Sequence, residues 1–176
     1  MSTYQIDTAH THAQFKVRHL MISNVKGEFT KVTGTVEFDE ANPAASSINV
    51  TIDVNSISTR EPQRDTHLKS ADFFDAEKYP TITFVSKEVV KSGEDSFEVV
   101  GDLTIHGVTQ TVDLNVEDFT PEMKDPIGLY RRGASAKTTI VRSDFGVVYN
   151  SVLETGGVMI GDDVHITIDV ELTRKG

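Results

Sequence analysis

Three groups of residues in this 176-residue chain have types and spacings that can do chemistry. His10 and His12 are two apart, so on a strand both imidazoles would point the same way, as a metal-binding pair requires, with His19 further along. A third ligand is needed, and the downstream glutamate of a cupin-type His-x-His pattern does not follow. A capped turn ahead of the first strand accounts for the pair more simply, so no metal is expected. Arg64, Asp65 and His67 form a second group, and Asp72 with Asp75 a third; either could exchange protons with a substrate. Yet no serine sits in a nucleophile-elbow context, no Gly-rich phosphate loop is present, and no carboxylate pair has catalytic spacing. Adjacent Arg64 and Asp65 are expected to tie a short insert down through hydrogen-bonded ion pairs.

Both acidic groups belong to the segment 62–84, PQRDTHLKSADFFDAEKYPTITF, which interrupts an otherwise strand-like chain. It sets Arg64, Asp65, His67, Lys69 and Asp72 beside Leu68, Phe73, Phe74 and Tyr79. Phe73 and Phe74 next to Leu68 predict a lip over an apolar interior, anchored to the end of a β-structure. His67 falls close enough to Phe73 to face the same interior. His106, in Thr104-Ile-His-Gly-Val108, reads as a structural hairpin turn.

The elements that must position these groups are strands. Ile48, Val50, Ile52 and Val54 alternate with polar residues, as do Val112, Leu114 and Val116, and Val164, Ile166, Ile168, Val170 and Leu172. One apolar and one wet face is the mark of antiparallel sheet. Counting such runs predicts eight strands, roughly 13–20, 27–38, 46–55, 80–90, 96–106, 109–118, 132–142 and 163–173. The helical insert then falls between the third and fourth. Parity slips inside the second run, where Phe29 is odd but Val32, Val36 and Phe38 are even, with Gly34 among them; a bulge or bend is expected there. With no helical layer to cover them, one-faced strands must close on themselves or pack as two sheets. The prediction is an all-β, eight-stranded antiparallel barrel, with a sandwich as the alternative. An eight-stranded barrel is either filled by side chains or holds one small ligand. Ala134, Ala136, Thr138 and Ile140 leave one wall small, which fits a cavity and fits equally a taper where strands crowd.

Composition narrows the function classes. A net charge of -10 argues against nucleic acid and against an anionic membrane surface. Without cysteine there is no disulfide, thiol nucleophile or thiolate metal site. No apolar run approaches a bilayer span, so no direct membrane insertion is expected. The N-terminal MSTYQIDTAHTHAQF has no apolar core of a signal peptide, and a cytoplasmic location for one domain, 1–176, is the expectation.

Several stretches together resemble the YceI-like family of small bacterial proteins. They are Asp7-Thr-Ala-His10, Phe15-Lys-Val-Arg-His-Leu20, Val25-Lys-Gly-Glu-Phe29, Ser56-Ile-Ser-Thr59, Arg64-Asp-Thr-His-Leu68, Asp72-Phe-Phe-Asp75, Tyr79-Pro-Thr-Ile-Thr-Phe84, Gly101-Asp-Leu-Thr-Ile-His-Gly-Val-Thr109 and Arg142-Ser-Asp-Phe-Gly146. The resemblance runs in order along the whole chain. It implies a lipocalin-like barrel whose lumen holds a long amphiphile of the polyisoprenoid class, including quinone tails, with no cofactor. It also implies a homodimer. Many members of the family carry a secretion signal, which this N-terminus does not match. The Trp-containing signature of true lipocalins is missing, so that likeness is architectural. On this reading Phe15, Val17, His19, Leu20, Phe29, Ile52, Leu68, Phe73, Phe74, Phe84 and Ile140 form the pocket wall or lip. Arg64 and His67 wait at the mouth for a polar head group. The competing expectations are an enzyme acting on a small hydrophobic substrate, with His19 or His67 as general base, and a fully packed structural barrel.

Overall fold

The computed structural model describes residues 1–151, 153–154 and 157–176. Among the described residues twelve strands form one sheet: β1 Ser2–Ile6, β2 His12–His19, β3 Ser23–Phe29, β4 Val32–Phe38, β5 Ser47–Asp53, β6 Ile57–Ser58, β7 Thr81–Lys91, β8 Phe97–Ile105, β9 Val108–Glu117, β10 Met123–Lys124, β11 Leu129–Val141 and β12 Ile160–Lys175. The same residues include one α-helix, α1 (Pro62–Lys69), between β6 and β7.

Several strands are successive stretches of one ribbon. β1 and β2 both lie along β12, with Gln5 opposite Thr173 and His12 opposite Asp169. β3 and β4 run back along the same two, Phe29 opposite Ala13 and Val36 opposite Tyr4. β5 pairs with β4 and β6 with β3, so β5 and β6 are two stretches of the next ribbon. The order then runs β5-β7-β8-β9-β11, and β11 pairs with β12 from Leu129↔Lys175 to Val141↔Asp163. All these pairings are antiparallel, and the β11–β12 ladder closes eight ribbons into a barrel. The sandwich alternative is thereby set aside.

The breaks within ribbons have local causes. Asp7 accepts a hydrogen bond from the Ala9 amide (3.1 Å) and Asp53 one from the Asn55 amide (2.9 Å), each capping a 3-10 turn that interrupts a ribbon. The run expected over 27–38 is two strands separated by residues 30–31, which resets the parity so that Phe29 and Val32 both face inward and are buried. Gly34 is required because a Cβ there would lie 2.2 Å from the Asn49 carbonyl oxygen. Ser2–Ile6 was too short an alternation to count from sequence. With the ribbons divided in this way, the helix follows the sixth hydrogen-bonded strand, where the sequence placed it between the third and fourth.

Helix α1 begins with Pro62 in its first turn and ends with His67 and Lys69 in its last, the arrangement that suits the missing proline N–H and the helix dipole. At eight residues it is too short to stand alone, and none of its residues is fully buried. Its stability must come from what fastens it.

Candidate functional site

The inward faces of the ribbons enclose a cavity of about 400 Å³. Its wall is almost wholly aliphatic and aromatic because the period-2 alternation turns every second residue inward. Ala13, Phe15 and Val17 come from β2, Ile48, Val50 and Ile52 from β5, and Val164, Ile166, Ile168 and Val170 from β12. Ala134, Ala136, Thr138 and Ile140 of β11 form a low wall, as the small-residue pattern allowed. Two large side chains lie flat against the barrel because glycines make room. The Phe15 ring sits where a Cβ on Gly27 would be, 2.3 Å from Cζ, and the Phe84 ring does the same over Gly101 at 2.5 Å. Flat rings cover the backbone and leave the centre open.

One end of the cavity meets the insert. Arg64 and His67 line the cavity and are also exposed to solvent, which marks this end as the mouth. Leu68, Phe73 and Phe74 line it too, with Phe74 edge-on to Phe29 at 5.7 Å. The insert is fastened through Thr59, which is buried. Asp65 Oδ1 accepts from the Thr59 amide (2.8 Å) and hydroxyl (2.6 Å), while Arg64 donates from Nε to that hydroxyl (2.8 Å) and from Nη2 to the Thr59 carbonyl (2.8 Å). The fastening thus uses hydrogen bonds to Thr59, where the sequence suggested ion pairs. His67 Nε2 lies 2.8 Å from Asp72, and its ring stands edge-on to Phe73 and to Tyr149. Asp75 takes no part in this contact; it sits in a turn with φ 50°.

Arg142 completes the mouth. It is buried, lines the cavity, and donates to the carbonyls of Gly161 (2.9 Å), Val147 (3.0 Å), Tyr149 (2.9 Å) and Ile160 (3.4 Å). Burial lowers its pKa, with the Asp162 carboxylate at 3.9 Å acting in the opposite direction. Here the guanidinium organises backbone, a task its fork of donors suits.

Twelve of the residues proposed for wall or lip line the cavity: Phe15, Val17, His19, Phe29, Ile52, Arg64, His67, Leu68, Phe73, Phe74, Phe84 and Ile140. Leu20 does not. It begins the hairpin turn between β2 and β3 at φ 51° and is partly exposed, because the alternation that points His19 inward ends where the strand ends. Arg142, Tyr149, Met159 and the aromatic residues at the far end were missed. Arg142 opens a motif that carried the family resemblance, the one signal that pointed to it.

The histidine pair does not converge. His10 lies in a 3-10 turn, so strand alternation does not apply to it, and His12 faces Glu28 instead. Asp7, His10 and Glu171 do bring ligand atoms within 4.8 Å of one another. The Arg131 guanidinium already bridges them, 2.8 Å from Asp7 and 3.1 Å from Glu171, and supplies the positive charge these carboxylates need. His106 occupies its hairpin turn at φ 55°, its ring meeting that of Tyr79 edge to face.

At the end opposite α1, Phe38, Phe97 and Phe119 line the cavity and contact one another with centroids 5.0–5.9 Å apart. Nearby, Arg174 is paired with Glu122 at 2.5 Å, and the Tyr4 hydroxyl donates to the same carboxylate.

Comparison with known proteins agrees with this architecture. The YceI-like domain model matches residues 4–172. A UPF0312 protein of Vibrio cholerae is 46% identical over 146 residues, covering 82% of this chain and 77% of its own. One from Staphylococcus aureus is 40% identical over 174 residues, 98% of both chains. Among solved structures, Burkholderia cenocepacia BcnA superposes with a TM-score of 0.82 at 27% identity, over 94% of this chain and 98% of its own. A polyisoprenoid-binding domain from Saccharophagus degradans has a TM-score of 0.70 at 18% identity, over 96% and 97%, a likeness of fold alone. The barrel, its mouth motifs and the full-length match lead to one assignment: this chain belongs to the YceI-like family.

Proposed function

We propose that the protein binds a long hydrophobic amphiphile of the polyisoprenoid class, tail in the barrel lumen and head group at the mouth, and carries or sequesters it without chemical change. The observation that carries this reading is the cavity of about 400 Å³ with an almost wholly apolar wall and a polar mouth. That size falls in the range of small-molecule sites, roughly 300–1,000 Å³. An apolar tail gains about 25 cal/mol for each Å² it removes from water, and a preformed lumen requires little reorganisation to receive it. Arg64 and His67, exposed at the same opening, offer donors to a polar head. The polyisoprenoid-binding domain of Saccharophagus degradans has the same fold and supports this ligand class by analogy. The family resemblance adds a homodimer, which sedimentation equilibrium would test.

The deciding experiment is organic extraction of the purified protein followed by mass spectrometry. An isoprenoid recovered in stoichiometric amount is the expected result. Extracts that contain no lipid, together with no uptake of added prenyl alcohol or quinone, would overturn the proposal.

A further inference from the structure

The far end of the lumen is built differently from its mouth. Phe38 ends β4, Phe97 begins β8, and Phe119 follows β9, so all three stand where ribbons leave the barrel at the end away from α1. Their rings meet edge to face: Phe38 with Phe97 at 5.9 Å, Phe38 with Phe119 at 5.0 Å, and Phe97 with Phe119 at 5.5 Å. Arg132, which is 8% exposed, backs this cluster with its guanidinium 5.3 Å from the Phe38 ring centroid and 5.0 Å from that of Phe119. The guanidinium is itself fixed by donating to the Tyr4 hydroxyl (3.0 Å) and the Thr120 carbonyl (3.2 Å).

These contacts make a floor that resists displacement. A tail pressing on the rings must also move a buried cation away from its acceptors and from two aromatic faces, and each loss is costly in a low-dielectric site. A tail that reaches the floor must therefore leave any further length outside, in water, at the mouth. Resting on the reading of the lumen as a polyisoprenoid site, we infer that the Phe38–Phe97–Phe119 floor determines ligand length and sets the longest tail the protein accepts.

The floor can be lowered or raised by single substitutions. Phe119→Ala removes a ring and deepens the lumen, and Phe38→Leu does so with a smaller loss of packing. Val36→Phe acts in the opposite sense, because Val36 lines the cavity two residues before Phe38 on the same strand. The test is equilibrium binding of delipidated full-length protein to all-trans prenyl alcohols lengthened one isoprene unit at a time. Thermal melts establish which variants are folded.

Wild type should show affinity rising with length and then a sharp limit. In Phe119→Ala or Phe38→Leu the first excluded alcohol should gain about tenfold or more in affinity, the scale by which pockets discriminate on small apolar size differences. In Val36→Phe the limit should move to shorter chains. Folded variants that keep the wild-type limit overturn the role of the floor while leaving lipid binding intact. So does a wild type that binds the series with no limit. A wild type that binds none of the alcohols overturns both the floor and the lipid reading beneath it.

Discussion

Arg142 Nη1 donates to the carbonyl of Tyr149 at 2.9 Å, and through this bond a buried cation holds the segment that carries one of the mouth rings. The Tyr149 ring meets His67 and Phe73 of the insert, both at 5.1 Å, so Arg142 indirectly joins two loops over the lumen. Replacing Arg142 with Met leaves several carbonyls without their donor. The expected cost is about 3 kcal/mol, read from denaturant unfolding, because buried acceptors lose partners that were charged. Arg142→Lys should recover only part of it, since one ammonium cannot reach acceptors spread from Val147 to Gly161.

Thr59→Val tests the fastening of the insert. It keeps the side-chain volume and backbone but removes the hydroxyl that serves Asp65 and Arg64. Two hydrogen bonds to charged groups are lost, an expected local cost of roughly 2 kcal/mol. Hydrogen exchange in Pro62–Lys69 should accelerate more than exchange in the barrel strands. Equal acceleration in both would show that α1 opens only with the whole molecule.

Gly27→Ala and Gly101→Ala should differ. At Gly27 the atoms in the way belong to the Phe15 ring, which can swing into the lumen. At Gly101 the Val85 carbonyl oxygen also stands 2.6 Å from the new Cβ, and backbone cannot move so easily. Gly27→Ala is expected to reduce lipid uptake with little loss of stability. Gly101→Ala is expected to lower stability by about 1–3 kcal/mol, the usual cost of overpacking. Thermal melts beside lipid-uptake assays would separate the two.

Acid stability should depend on Glu122. Hydrogen bonding from Arg174 holds its carboxyl at about 2, against an ordinary value of 4.5, with the Tyr4 hydroxyl and the two nearby arginine charges acting in the same direction. A depressed carboxyl pKa means that the unfolded chain takes up the proton first as pH falls. The contribution is therefore complete above about 4.5 and disappears as pH drops toward about 2. Glu122→Gln should flatten the fall of unfolding free energy across that window. The slope should not vanish, because Arg131 also lowers the pKa of Asp7 and of Asp125. Urea titrations at a series of pH values check this, and an unchanged slope would rule out the Glu122–Arg174 pair as its source.

Much of the barrel was legible from sequence, because one-faced strands announce themselves by a local period. Val164 to Leu172 alternates without error, and its even-numbered positions face the lumen as the pattern requires. The lip was legible for a similar reason, since Leu68, Phe73 and Phe74 are too apolar for an ordinary surface loop. What escaped were residues whose roles depend on distant partners. Phe38, Phe97 and Phe119 look like three unrelated strand-end aromatics until closure brings them together. Arg142 looks like a surface arginine until a returning segment places carbonyls around it. Leu20 erred the other way, since an apolar residue one step beyond His19 continued the strand on paper while the chain had already turned.

By itself, then, the sequence determined which side of each strand is apolar, and that a charged, aromatic insert interrupts them. Only the tertiary structure decided that the barrel is hollow, open beside α1 and floored at the other end. Alternation is a property of neighbours along the chain. Whether opposing walls meet depends on closure between β11 and β12, and on glycines that let Phe15 and Phe84 lie flat against the strands beside them.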